Sequence, residues 1–329
     1  MKFKASLQDP HMLLRVLQVC CRIQRGCLIQ LHSTRTRFFT KVGTVDGVQV
    51  WVGCHTKSLF SDFRCDSHDE EQSITFEVLD ISQFIHSIKQ AGMRPRWSAE
   101  AKPLVMRLGR SGKRPVLKLT MQGHQGLPDL SYDNPIRIFS KREIEGMRTP
   151  SLGDERLQVV IPNVVELTTF VERLKNAQCE HVTFSAQRHT PSVDALHSSV
   201  LNSKTRNSQN GRVSNGAALA PPHATLMISA GNFFANFALS YDAVEMIPRK
   251  DSDTDNAQND ENDSEEENIE EPHAVVVMVG VKKFARFFSS VRDIDPTRTS
   301  VYLVHNAALV LSVYTSNGTT MVAYIPASG

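Results

Sequence analysis

Long apolar runs are missing from this chain. The longest, Ala274 to Val281, falls far short of the roughly 20 residues that carry a helix across a bilayer, so a soluble, globular protein with no membrane partner is expected. Catalytic signatures are missing as well: there is no G-x-G-x-x-G, no H-E-x-x-H and no G-x-S-x-G. Gly109-Arg110-Ser111-Gly112-Lys113 lacks the phosphate-loop spacing and no helical pattern follows it, so it reads as a basic hairpin turn. The six cysteines show no C-x-x-C spacing, which disfavours zinc and a disulfide framework and points to free, buried or half-buried thiols in a reducing compartment. None of the 12 histidines pairs at i, i+4, the spacing that puts two metal ligands on one helix face. These absences remove the usual support for nucleotide hydrolysis and dehydrogenase chemistry. A binding protein is expected rather than an enzyme, with no catalytic residues, no metal and no cofactor.

Positive charge is absent from one segment. Residues 251–271 carry eleven Asp or Glu and no Lys or Arg, so the formal net charge of +2 conceals a body with 37 basic against 24 acidic side chains, +13 in all. A body that basic suits a polyanionic partner. The acidic tract, which contains Ser252, Thr254 and Ser264, reads as a disordered, solvating loop. Residues 1–41 hold eight basic residues and one acid, Asp9, which is the composition of a transit peptide. Against that, Phe3, Ala5 and Leu7 alternate as in a strand, and Asp9-Pro10 supplies an N-cap with proline in the first turn. A folded start is expected.

What is present is a repeat: strand, helix with a basic polar side, several strands, a second helix, more strands, then the same again. The first helix, about Pro10 to Arg25, has Leu13, Val16, Leu17 and Cys20 on one stripe and Arg15, Gln18, Arg22 and Arg25 on the other. Strands are expected near 27–32, 35–40, 46–52, 57–63 and 73–79. The second helix, Asp80 to Ala91, turns Ile81, Phe84, Ile85 and Ile88 inward and carries His86 and Lys89 elsewhere. Strands follow near 103–108, 115–121 and 135–139. The second copy opens with Leu157, Val159 and Ile161 alternating, and Pro162 begins a helix with Val164, Leu167, Val171 and Leu174 inward and Arg173 and Lys175 near its end. Strands near 180–186, 224–229, 233–240, 243–247 and 273–279 precede a helix from Val281 to Val291, decorated by Lys282, Lys283, Arg286 and Arg292. Three strands near 299–304, 308–315 and 319–325 close the chain. The expected division is a first domain at 1–139, a linker at 140–155 and a second domain at 156–329, with insertions at 188–222, rich in Ser and Asn, and 251–271.

Two tandem copies of this layout resemble the sliding-clamp family, typified by the proliferating cell nuclear antigen. Met1-Lys2-Phe3-Lys4, Asp133-Asn134-Pro135-Ile136-Arg137-Ile138, Leu157-Gln158-Val159-Val160-Ile161-Pro162 and Tyr324-Ile325-Pro326-Ala327 are similar to the Hus-type subunits of the heterotrimeric checkpoint clamp, the nine-one-one ring. The resemblance spans nearly the whole chain apart from the two insertions. It implies an α+β, DNA sliding-clamp (processivity) fold: two tandem domains, each with antiparallel sheets and two helices lining one face. It also implies three subunits closing head to tail around double-stranded DNA without sequence specificity, through phosphate contacts. The implied partners are two Rad-type clamp subunits and a clamp loader. The implied setting is the nucleus, in damage checkpoint signalling, repair, and telomere and genome maintenance. Arg15, Arg22, Arg25, Lys89, Arg173, Lys175, Lys282, Lys283, Arg286 and Arg292 would then face the DNA, and strands near 134–139 and 233–240 would be the edges that meet the partners. Two alternatives stay open: a homotrimeric replication processivity clamp, and a nuclease using Asp260, Glu261 or Asp263. The second is weakened because metal-dependent cleavage needs rigidly held carboxylates.

Overall fold

Alternation builds the first strand, β1 (Lys2–Leu7), in which Phe3, Ala5 and Leu7 are buried and Lys2 and Lys4 exposed. Asp9 then caps α1 (Pro10–Ile23), its Oδ1 accepting a hydrogen bond from the Met12 amide at 2.9 Å, with proline opening the first turn. The rest of the first copy is β2 (Cys27–Leu31), β3 (Arg35–Phe39), β4 (Gln49–His55), one turn of helix α2 (Thr56–Leu59), β5 (Phe60–Asp66), β6 (Ile74–Val78), α3 (Ile81–Gly92), β7 (Leu104–Ser111), β8 (Arg114–Met121) and β9 (Leu130–Ile138). A short α4 (Lys141–Glu145) follows. The second copy comprises β10 (Arg156–Val160), α5 (Val164–Asn176), β11 (His181–Arg188), β12 (His223–Gly231), β13 (Asn236–Glu245), β14 (Ala274–Gly280), α6 (Val281–Val291), β15 (Pro296–Val304), β16 (Ala308–Thr315) and β17 (Thr320–Pro326). These coordinates, a computed structural model, describe residues 1–41, 47–67, 73–92, 103–123, 128–145, 147, 156–189, 222–247, 273–291 and 294–328. The acidic tract and all but the margins of the Ser/Asn-rich insertion lie outside them.

Several boundaries differ from expectation for local reasons. The strand expected from 57 begins as α2 because the buried Thr56 hydroxyl donates to the His32 carbonyl at 2.7 Å and meets Thr36 Oγ1 at 3.0 Å. Pro162 lies outside α5. Asn163 is the N-cap, its Oδ1 accepting from the Glu166 amide at 3.0 Å. The runs near 233–240 and 243–247 are one strand, β13, with a register shift opposite Ala224/Leu226 and Ala243 at φ 55. The Gly109–Lys113 segment is a hairpin turn as expected, with Ser111 opposite Arg114 and Gly112 at φ 60.

The two copies share most of their pairing, although the β6–β9 ladder of the first has no counterpart between β14 and β17 in the second. In the first, β1 pairs β7, β2 pairs β3 and β6, β3 pairs β4, β7 pairs β8, and β8 pairs β9. In the second, β10 pairs β15, β11 pairs β12 and β14, β12 pairs β13, β15 pairs β16, and β16 pairs β17. Even β1–β5 has its counterpart, the Val159–Met246 bridge. One ladder then joins the copies: β17 pairs antiparallel with β4, from Thr320 opposite Gly53 to Tyr324 opposite Gln49. The result is a 13-stranded sheet beside a 4-stranded one.

The long helices form a row against these two sheets in the order α3, α1, α6, α5, each packed on its neighbours, and their apolar stripes share one core with both copies. A small separate cluster, Leu28, Phe39 and Phe139, lies beneath Trp51, Ile144 and Met147. It holds α4, at whose start Glu143 Oε2 accepts from both the amide and the hydroxyl of Ser140 at 2.9 Å.

Candidate nucleic-acid interface

The row of helices presents one solvent face, and its charge is uneven. On α1, His11, Arg15 and Arg22 are exposed at helical spacing with Gln18 half-buried between, and the helix contains no carboxylate. On α6, Lys282 and Arg286 are exposed and Lys283 is half-buried, again with no carboxylate in the helix. These two helices touch at the joint between the copies, where Arg22 Nη1 donates to Ser290 Oγ at 3.1 Å. Arg25 is exposed in the turn just after α1, and its carbonyl accepts the Ile81 amide that starts α3. The flanking helices carry less net charge. Lys89 and His86 are exposed on α3, while on α5 the exposed Arg173 and Lys175 are offset by exposed Glu166 and Glu172. Arg292 lies outside the described residues. Of the predicted cations, then, those on α1 and α6 converge on one seam, and those on α3 and α5 flank it.

Such a face can hold a polyanion by charge, and contacts from Lys and Arg to phosphate oxygens carry no sequence information. Among the described residues, no group of three or more His, Cys, Asp or Glu is placed to hold a metal ion. No described helix is long and apolar enough to cross a membrane.

The outer ends of the molecule repeat the inner joint with one side missing. β13 ends the 4-stranded sheet, and the outer side of Leu130–Asn134 in β9 has no ladder partner among the described residues. Those two strands occupy the positions of β4 and β17. The edge expected at 134–139 is corrected here: Ile136, Arg137 and Ile138 pair with β6, so the open stretch is the earlier one. The edge expected at 233–240 begins at Asn236, because residues 232–235 form the turn. Burial agrees with a missing neighbour. The inward residues of β4, Val50, Val52 and Cys54, are buried, whereas their counterparts on β13, Phe237, Leu239 and Tyr241, are half-buried. Likewise α1, flanked by two helices, buries eight residues, while α5, flanked only by α6, buries five and leaves Val165 69% exposed.

A tandem repeat welded edge to edge, with helices in one row and sheets behind them, is the architecture of DNA sliding clamps. The proliferating cell nuclear antigen of Entamoeba histolytica superposes with a TM-score of 0.59 at 9% identity, covering 99% of each chain. That of Thermococcus kodakaraensis gives 0.57 at 13% identity, covering 98% of this chain and 99% of that one. Within that class the family is fixed by sequence: residues 1–329 match the model for the Hus1-like protein family, and the chain belongs to it. Relatives include a checkpoint protein hus1 homolog of Dictyostelium discoideum, 21% identical over 208 residues, which are 60% of this chain and 74% of that protein. Checkpoint protein hus1 of Schizosaccharomyces pombe is 24% identical over 179 residues, 54% of this chain and 59% of that one.

Proposed function

We propose that this chain is a non-catalytic subunit of a heterotrimeric ring that encircles double-stranded DNA and acts in damage checkpoint signalling and repair in the nucleus. Residues 1–139 and 156–329 serve as its two clamp domains. The internal joint carries this proposal. β4–β17 and α1–α6 unite two copies of one unit, and the same unit ends on both sides in an open half of that joint, β13 with α5 and β9 with α3. Head-to-tail addition of two further clamp chains, of Rad type, completes both halves and closes the ring. The helix row then lines the hole. Arg15, Arg22, Arg25, Lys282, Lys283 and Arg286 form its main phosphate-facing band, with Lys89, Arg173 and Lys175 at the flanks; Arg292, outside the described residues, is assigned to the same phosphate contacts from sequence alone. A loader that opens the ring follows from its topology, since a closed ring cannot thread internal DNA.

The test is purification of the tagged chain from cells with its companions identified by mass spectrometry, followed by loading on circular DNA. Two different clamp-fold chains in equal amounts are expected, and the ring stays on closed circles in high salt but slides off once they are cut. A stable homotrimer of the purified chain favours the processivity-clamp alternative and overturns this one.

A further inference from the structure

We infer that the tip of the β12–β13 hairpin, Phe233 with Phe234, is the apolar anchor that locks this subunit to one neighbour in the ring, an inference that rests on the clamp assignment above. Phe233 is 96% and Phe234 90% exposed, by far the most exposed large apolar side chains among the described residues. Single exposed apolar residues are ordinary, but two adjacent aromatic rings held almost wholly in water mark a contact surface.

The tip is built rather than slack. Asn232 Nδ2 donates to the Ala177 carbonyl at 2.6 Å, tying the turn to the end of α5. Its Oδ1 accepts from the amides of Phe234 at 2.9 Å and Ala235 at 2.8 Å, and its own amide donates to the Ala235 carbonyl. The two rings meet edge to face at 5.4 Å. A turn ordered in advance loses little entropy on binding, which is what an anchor requires.

The internal joint says what the tip meets. β4 runs antiparallel to β17, so its start lies at the end of its partner: Gln49 faces Tyr324, and a Cβ on Gly47 would come within 2.9 Å of Pro326 Cγ. A strand added to β13 in the same sense places Phe233 and Phe234 just beyond the C-terminal end of the neighbour's edge strand, where its connector begins. On this chain the open stretch of β9 ends at Asn134 and is followed by the exposed ring of Pro135, as Pro326 follows Ile325 in β17. The occupant is therefore the clamp-fold subunit whose own edge strand pairs with β13, as β17 pairs with β4. Residues 40–48, the corresponding segment of the first copy, contain no aromatic residue.

The test replaces Phe233 and Phe234 together by Ser in the full chain, and separately by Leu, and purifies each with its companions. With Ser, the isolated chain keeps its thermal midpoint, since neither ring touches the core, while one clamp-fold neighbour dissociates about 100-fold more readily and the other stays. The Leu pair restores most of the hold. Both neighbours held as tightly by the Ser variant as by the parent chain would overturn the anchor and leave the ring intact. A parent chain that brings down no clamp-fold companion would overturn the ring itself and the anchor with it.

Discussion

The six cysteines show how burial sets chemistry at single positions. Cys20, Cys27, Cys54 and Cys179 are buried, and Cys21 and Cys65 are half-buried. Burial pushes the Cys54 thiol up to about 12, and a hydrogen bond with Cys20 together with burial holds Cys27 well above the usual thiol range. Cys65 is raised by burial and by nearby Asp66. The thiolate is the reactive form, so at pH 8 iodoacetamide should modify Cys21 first in the native chain and Cys27 and Cys54 only after denaturation, as read by mass spectrometry. Rapid native labelling of Cys54 would contradict its burial. That these thiols are free was legible from their spacing. The second role of Arg22 was not: its partner Ser290 is 268 residues away, and helical periodicity carries no information about that contact.

At the scale of elements, α1 and α6 are the densest part of the cationic wall, and α5 is charge-balanced. Arg15→Glu with Lys282→Glu should flatten the salt dependence of direct DNA binding by about 2 in log–log slope, since each lost phosphate contact removes about 0.9. Arg173→Glu should change it by less, because Glu172 and Glu166 already offset α5. The check is DNA affinity titrated over salt, with assembly followed by size. Equal effects from α5 and the central pair would place the DNA elsewhere. Arg22→Glu is a poorer probe, as it also breaks the hydrogen bond to Ser290. The helices themselves were legible because a stripe of period 3.6 needs only local sequence. Their order in the row was not, nor was the end at which β9 lies open, because both depend on which strands pair across the copies.

For the whole molecule, the joint makes two repeats into one body. β4–β17 and α1–α6 cross the boundary, and one core runs through both copies. Unfolding in urea should therefore be a single transition, with the fluorescence of Trp51, stacked on Phe39 at 4.6 Å, coinciding with far-ultraviolet circular dichroism. Two separated transitions would mean that the copies fold independently. The same construction explains the open ends: strand edges and half-buried β13 side chains remain because each outer copy lacks the neighbour that the inner joint supplies.

The sequence by itself determined the repeat, the helices and their basic faces, the free thiols and the family, since alternation, 3.6-residue periodicity, capping and residue order are local properties of the chain. Only the tertiary structure decided that β17 closes on β4, that the cations of α1 and α6 meet at one seam, and that Phe233 and Phe234 stand in water on a braced turn at an open edge. Each of these depends on groups brought together from distant parts of the chain, and burial, pairing and charge balance exist only once they have met.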